Sequence, residues 1–246
     1  MGIFSFLKQK KSAPVCDKSV TAIIVASGNS TRLNGGEGEN KVLLQVGGRP
    51  LISYCLEAFQ RAVSVGNIII VTRSEDMVAM SGIVGEYGFD KVSLIVRGGQ
   101  TRAESVQCGL AELPRNTKYV AIHDGARPFV KFGEINAVVA AAKETGGAIL
   151  AAPAVDTVKR VQNGLVVGTE PRDILYNAQT PQVFETQKLF AAIALNQSAA
   201  YTDDSQYFEN AGFPVAVVKG GADNFKITYT SDLARAQGIQ EVNDNA

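Results

Sequence analysis

Six short runs dominated by Val, Ile and Ala, at residues 22–26, 67–72, 92–96, 119–123, 148–153 and 215–218, do not alternate apolar with polar residues. A strand with one wet face alternates; a strand buried on both faces does not. Between most of the runs lie longer stretches with helical spacing. Two are 51–63, where Leu51, Ile52, Tyr54, Cys55, Leu56 and Phe59 recur on one side, and 103–113. Buried strands separated by helices predict an α/β fold built on a doubly wound, mostly parallel sheet. Ligands of such sheets sit at the carboxyl ends of the strands, so the residues just after each run are where chemistry is expected.

With 246 residues, the chain lies near the size, about 250 residues, at which one hydrophobic core stops growing. The expected organisation is a loose tail at residues 1–19 and a single domain at residues 20–240. One segment interrupts the rhythm of strands and helices: "DTVKRVQNGLVVGTEP", residues 156–171, carries Asn163-Gly164 between two β-rich runs, a strong short-range hairpin signal. A hairpin inserted in an α/β domain has little core of its own. It is expected either to extend a sheet or to act as an arm reaching another subunit.

Lys and Arg together number 24, as do Asp and Glu, so the chain lacks the electropositive surface with which nucleic-acid binders displace counterions. Nucleic acid and anionic membranes are therefore not expected as partners. Three scattered cysteines and a single histidine give neither a disulfide framework nor a metal knuckle, which fits a reducing cytoplasm. The N-terminal "MGIFSFLKQKK" places its apolar patch before its lysines, the reverse of a signal peptide, and no apolar run approaches the ~20 residues that span a bilayer.

After the first run come Ser27, Gly28, Asn29, Ser30 and Thr31, then Arg32 and, nine positions further on, Lys41. Small residues let backbone N–H groups approach a phosphate, and successive N–H groups in a turn form an anion nest. Neither the Walker spacing nor the dinucleotide G-x-G-x-x-G is present, but two cations flank the bend. A second glycine turn, "RGGQTRAESV", opens a helix after residues 92–96; it reads as an ordinary capped turn or as part of the same site. The run 119–123 leads into Asp124 and Arg127, placed to meet a ribose hydroxyl or a hydrated Mg²⁺, although Arg127 equally suits a structural clamp. His123 adjoins Asp124 but reads as structural, because no Ser or Cys sits in a nucleophile elbow. Near the C-terminus, "GGADNFKIT" adds Asp223 and Lys226. Several cations with at least two acids at one sheet edge, and no protein nucleophile, suit transfer between phosphates.

The segments "VASGNSTRL", "NKVLL", "GGQTRAESV", "HDGARPFV", "AAPAVDTVKRV", "NAQTPQVF", "TDDSQYFENAG" and "GGADNFKIT", in this order, resemble the 2-C-methyl-D-erythritol 4-phosphate cytidylyltransferase family over residues 20–238. The resemblance implies a Rossmann-like nucleotidyltransferase fold. It also implies a reaction in which CTP and methylerythritol phosphate give a CDP-linked alcohol and pyrophosphate, with Mg²⁺ on the triphosphate. By that likeness Ala26, Ser27 and Gly28 belong to the loop around the triphosphate, and Arg32, Lys41 and Lys226 counter charge at the attacked phosphate. Gly99, Arg102 and Ser105 belong to the turn that reads cytosine, and Asp124 and Gly125 hold the ribose. The resemblance places Arg127, Thr157, Lys159, Arg172, Thr202 and Asp223 at the acceptor, with Asp124 and Asp223 near the metal, through water. It further implies a homodimer in which the 156–172 arm completes the partner's acceptor pocket.

The chain departs from the family's common pattern at Ser27, where Ala is frequent, at Asn40, where Pro often precedes the lysine, and at Gly125-Ala126, where two Ala are frequent. These changes leave the charged groups in place and bear on how the segment 34–40 closes. The readings weighed beside the main one are a cytidylyltransferase for ribitol 5-phosphate, a catalytically silent nucleotide-binding scaffold, and an NAD-linked oxidoreductase. The missing glycine fingerprint disfavours the last of these.

Overall fold

The computed structural model describes residues 17–29, 40–196 and 201–244. Its centre is a seven-stranded sheet of β1 (Val20–Ala26), β4 (Asn67–Thr72), β5 (Val92–Arg97), β6 (Tyr119–Asp124), β7 (Gly147–Pro153), β10 (Tyr176–Glu185) and β11 (Ala216–Lys219). The spatial order is β11-β7-β10-β6-β1-β4-β5. All neighbours are parallel except β10, which runs antiparallel to both β6 and β7.

The unalternated runs feed two apolar layers. Ile24, Ile68 and Ile70 point to one face, with Ile52, Leu56 and Phe59 of α1 (Leu51–Arg61), Met80 of α2 (Met77–Tyr87) and Val138 of α4 (Phe132–Thr145). Ile23, Ile69, Val71 and Ile122 point to the other, against Val106 and Leu110 of α3 (Arg102–Ala111), Leu189 of α5 (Thr186–Leu195) and Phe208 of α6 (Ser205–Asn210). Successive strand residues face opposite sides, so both parities must be apolar when helices cover both faces. A last helix, α7 (Thr230–Asp244), follows the Lys226 segment.

The chain leaves β1 towards β4 and β5, then returns to place β6 on the other side of β1. This reversal opens a crevice at the carboxyl ends of β1 and β6. Strand β10 was absent from the expected elements: its "YNAQTPQVFE" carries Gln179, Thr180, Pro181 and Gln182 where a buried strand is ordinarily apolar. Its register shifts between Ala178 and Gln182, where Pro181 has no N–H to give the ladder.

Two small ribbons stand outside the main sheet, β2 (Gln45–Val46) with β3 (Arg49–Pro50), and β8 (Lys159–Gln162) with β9 (Leu165–Thr169). In the second, Asn163 and Gly164 both have positive φ, 52° and 78°, the requirement of the tight turn that the Asn-Gly pair predicts. The ribbon leaves Leu165 71% exposed, and Val161, Val166 and Val167 exposed beside it. Residues 1–16 of the expected tail lie outside the described residues. No described helix is long and apolar enough to cross a membrane.

Candidate active site

At the end of β1 the loop residues Ala26, Ser27, Gly28 and Asn29 line a hollow of about 220 Å³. Ser27 Oγ donates to Ser105 Oγ at 2.7 Å, tying this loop to the turn before α3. Gly98 makes the close approach possible: a Cβ there would lie 2.6 Å from Ser27 Cβ and 2.8 Å from Ser105 Oγ. The turn enters α3 through a capping box, with Thr101 accepting from the Glu104 N–H and the Glu104 carboxylate accepting from the Thr101 N–H. Lys41 reaches the same hollow from the short turn Lys41–Leu43. Arg32 lies outside the described residues.

Asp124, at the end of β6, is the electrostatic hub. Its Oδ1 accepts from Arg102 Nε at 2.9 Å, its Oδ2 accepts from Lys226 Nζ at 2.8 Å, and Arg127 Nε lies 3.7 Å from Oδ2. Burial pushes the Asp124 carboxyl up, but Arg102, Lys226 and Arg127 outweigh it and hold the group well below the usual carboxylate range. Arg102 also forks onto Asp204, with its two terminal nitrogens 3.1 and 2.8 Å from the carboxylate oxygens. Burial works against the Arg102 charge, and the two carboxylates reverse that and raise its pKa. Lys226 is fixed through its neighbours: the Ile227 N–H donates to Ala126 O, and the Asn224 side chain donates to Gln179 Oε1 and to Thr180 O.

His123 lies under this hub, fully buried. Its Nε2 is 3.1 Å from Arg127 O, which can only accept, so Nε2 carries the proton. Nδ1 therefore accepts from the Thr180 hydroxyl, which in turn accepts from the Asp124 N–H. Burial draws the imidazole down to about 4, only partly offset by the Asp124 charge. The histidine is thus a neutral link that holds Asp124 and Arg127 in place.

A second hollow, also about 220 Å³, adjoins the first. Arg127, Gln179, Thr180, Gln182, Thr202 and Asp203 line it, and it shares Arg102, Asp124 and Lys226 with the first hollow. Two compartments therefore meet at one acid and two cations. Among the described residues, the first has Lys41, Arg102 and Lys226 against Asp124, a wall suited to a polyanion.

Several expected site residues sit elsewhere. Ser105 is fully buried, its hydroxyl accepting from Ser27 Oγ and the Gly99 N–H and donating to Thr101 O. It shapes the turn and does not face the hollow. Gly99 lies under Glu104, whose Cβ would be 2.3 Å from an added Cβ, and Gly125 is pinned by its N–H to Val25 O; neither lines these two hollows. Asp223 is absent from both compartments: it lines a separate hollow beside Tyr54, Arg61 and Lys131, 3.8 Å from Arg235. Thr157, Lys159 and Arg172 are exposed on or beside the β8–β9 ribbon, Lys159 donating to Thr169 Oγ1 and Arg172 to Val155 O.

Asp124 and Asp223, both expected near the metal through water, line different hollows. Both oxygens of Asp124 are engaged by cations, and among the described residues no three His, Cys, Asp or Glu side chains gather as a metal site. The described residues therefore do not fit Mg²⁺ as a directly liganded ion. Asp204, Gln179, Thr180 and Gln182 belong to the site without a motif that marks them in the sequence. Asp204 was legible as a polar residue just before a helix; the other three sit in a strand whose polar composition hid it.

The sequence profile of the family described as 2-C-methyl-D-erythritol 4-phosphate cytidylyltransferase matches residues 20–241. A protein of that name from Halalkalibacterium halodurans is 38% identical over 221 residues, 89% of this chain and 96% of its own length. A bifunctional enzyme IspD/IspF of Desulforudis audaxviator is 42% identical over 222 residues, 89% of this chain and 56% of its own. Among solved structures, 4-diphosphocytidyl-2C-methyl-D-erythritol synthase of Anaerococcus prevotii superposes with a TM-score of 0.79 at 31% identity, covering 92% of this chain and 99% of that one.

Proposed function

The chain belongs to the 2-C-methyl-D-erythritol 4-phosphate cytidylyltransferase family, and from that membership we propose how its residues divide the work. The enzyme is a cytidylyltransferase that joins CTP to methylerythritol phosphate in the non-mevalonate route to isoprenoids, giving the CDP-linked alcohol and pyrophosphate. The observation that carries the residue assignment is the meeting of two hollows at Arg102, Asp124 and Lys226. The compartment beside the Ala26–Asn29 loop takes CTP, and the one beside Arg127 and Thr202 takes the acceptor.

An oxygen of the acceptor phosphate attacks the α-phosphorus of CTP, forming a new O–P bond as the bond to the β-phosphate oxygen breaks and pyrophosphate leaves. A phosphate monoester is largely ionised near neutral pH, so no general base is required. Two like charges at 4 Å repel by roughly 4 kcal/mol at an effective dielectric of 20, and a cation near both offsets a term of that size. Lys41 and Lys226 are the proposed cations, joined by Arg32 from outside the described residues. Asp124 holds Lys226 and Arg102 ready in the resting site and is proposed to meet the ribose. Mg²⁺ is proposed to travel on the triphosphate oxygens.

We assign the β8–β9 ribbon to a homodimer contact, on the argument that a two-stranded ribbon is marginal alone and this one exposes Val161, Leu165, Val166 and Val167. Thr157, Lys159 and Arg172 would then serve the partner's acceptor hollow. The relatives' names favour methylerythritol phosphate over ribitol phosphate, and a silent scaffold has no need of two lysines in the first hollow. The test is turnover of Lys41→Ala and Lys226→Ala. Each is expected to lose at least ~10²-fold in kcat with smaller change in CTP affinity. Unchanged kcat in either removes that lysine from the mechanism.

A further inference from the structure

Asn40, the residue before Lys41, is 1% exposed and bonds through both its amide nitrogen and its amide oxygen. Its Nδ2 donates to Ala26 O at 2.7 Å and to Asp76 Oδ2 at 2.8 Å, and its Oδ1 accepts from the Val42 N–H at 3.4 Å. Asp76, also buried, is gripped in turn by Arg73, with Nε 2.6 Å from Oδ2 and NH2 2.9 Å from Oδ1. The geometry has a simple consequence. Ala26 ends β1 and opens the phosphate-side loop, and Asn40 closes that loop just before the lysine. One side chain therefore joins both ends of the loop, and an ion pair just after β4 holds that side chain.

A buried amide and carboxylate beside a cleft are costly unless fully paired, and apolar residues could fill the same space at lower desolvation cost. What the polar pair supplies is direction. Asn40 caps the turn Lys41–Leu43, so its anchoring sets where that turn, and the lysine on it, stands relative to the Ser27–Asn29 backbone. Burial pushes the Asp76 carboxyl up, and the hydrogen bonds from Arg73 and Asn40 outweigh it, so Asp76 stays charged at neutral pH.

We propose that Asn40, anchored by the Asp76–Arg73 ion pair, is the positioning residue that sets Lys41 at the attacked phosphate of CTP. The proposal rests on the reading of Lys41 as a catalytic cation. Asn40 borders the CTP hollow, but its side chain is turned onto Ala26, Asp76 and Val42, so it acts through the turn it caps. Misplacing a catalytic group by about 1 Å costs on the order of 10² in rate, so loss of the anchor is expected to lower kcat by ~10–10²-fold. The KM for CTP is expected to move by less than about 3-fold.

The decisive experiment is a double-mutant cycle on the purified full chain. Asn40→Ser and Asp76→Asn are each measured alone and together with Lys41→Ala, with circular dichroism and thermal unfolding to confirm folding. A positioning role predicts that either substitution costs ~10–10²-fold in kcat in the presence of Lys41 and less than about 3-fold once Lys41 is gone. A full additive loss in both backgrounds would overturn the proposal, because general destabilisation does not depend on Lys41. An unchanged kcat in both Asn40→Ser and Asp76→Asn would overturn it as well. If Lys41→Ala alone keeps full kcat, the underlying assignment of Lys41 fails, which is a different result from additivity on top of a large Lys41 effect. Should Asn40→Ser not fold, Asp76→Asn, which keeps one acceptor oxygen for Asn40 and Arg73 Nε but removes the charge and the oxygen that accepts from Arg73 Nη2, completes the cycle.

Discussion

Between pH 8 and 5, acidification is expected to destabilise this fold through His123. Its imidazole is fully buried, neutral, and drawn from the ordinary value of 6.5 to about 4 by burial. Between those values the unfolded chain binds a proton that the folded chain refuses. Stability is therefore complete above pH 6.5, falls as pH drops towards 4, and loses no more to this group below that. The difference of roughly 2.5 pH units corresponds to about 3 kcal/mol in total, of which about 2 kcal/mol is lost by pH 5. The assay is urea unfolding at pH 8, 7, 6 and 5 for the native chain and for His123→Gln. The glutamine amide can still donate to Arg127 O but does not titrate. Absolute stabilities will differ because the Thr180 contact changes, so the informative quantity is the difference between the two pH slopes, from which all other titrating groups cancel. The native chain should lose about 2 kcal/mol more than the variant between pH 8 and pH 5. Parallel curves would refute the picture of a neutral buried histidine linking Asp124, Thr180 and Arg127.

Two further outcomes are expected. Arg172→Ala should raise the KM for the acceptor and leave that for CTP nearly intact. Mixed and reassembled with Lys226→Ala and assayed at acceptor concentrations well below the variant's KM, it should recover roughly a quarter of native activity, since only one site in a heterodimer joins both intact residues; no recovery there means that the arm does not cross between subunits. Gly98→Ala should cost about 1–3 kcal/mol in thermal unfolding and weaken CTP binding, because its Cβ would press on Ser27 and Ser105; an unaltered melting temperature and CTP affinity would mean that the turn has slack to move.

Periodicity carried the architecture where strands are buried on both faces. The run at residues 67–72 became β4 residue for residue, and the Asn163-Gly164 pair became the ribbon turn. Strand β10 was illegible because its polar residues serve the site: Thr180 bonds Asp124 and His123, and Gln182 accepts from the Asp204 and Ser205 N–H groups. A strand of this kind breaks the apolar rule for chemical reasons, and sequence pattern reports only the rule. The charged residues at strand ends were easier to find, and Lys41, Arg102, Asp124 and Lys226 do share a hollow. Ser105 and Asp223 were harder, because which way a loop side chain points depends on packing that spacing does not encode. Ser105 turned inward to brace a turn, and Asp223 faced a neighbouring hollow. Asn40 attracted notice only as a departure from the family's common proline, and its three partners come from three separate segments.

The most direct test of the account is pyrophosphate release by the purified chain with Mg²⁺, offering CTP, UTP, ATP or GTP with methylerythritol 4-phosphate or ribitol 5-phosphate. The account predicts release with CTP and methylerythritol phosphate and little with any other pair. Release that follows ribitol phosphate, or no release with any pair, would contradict it.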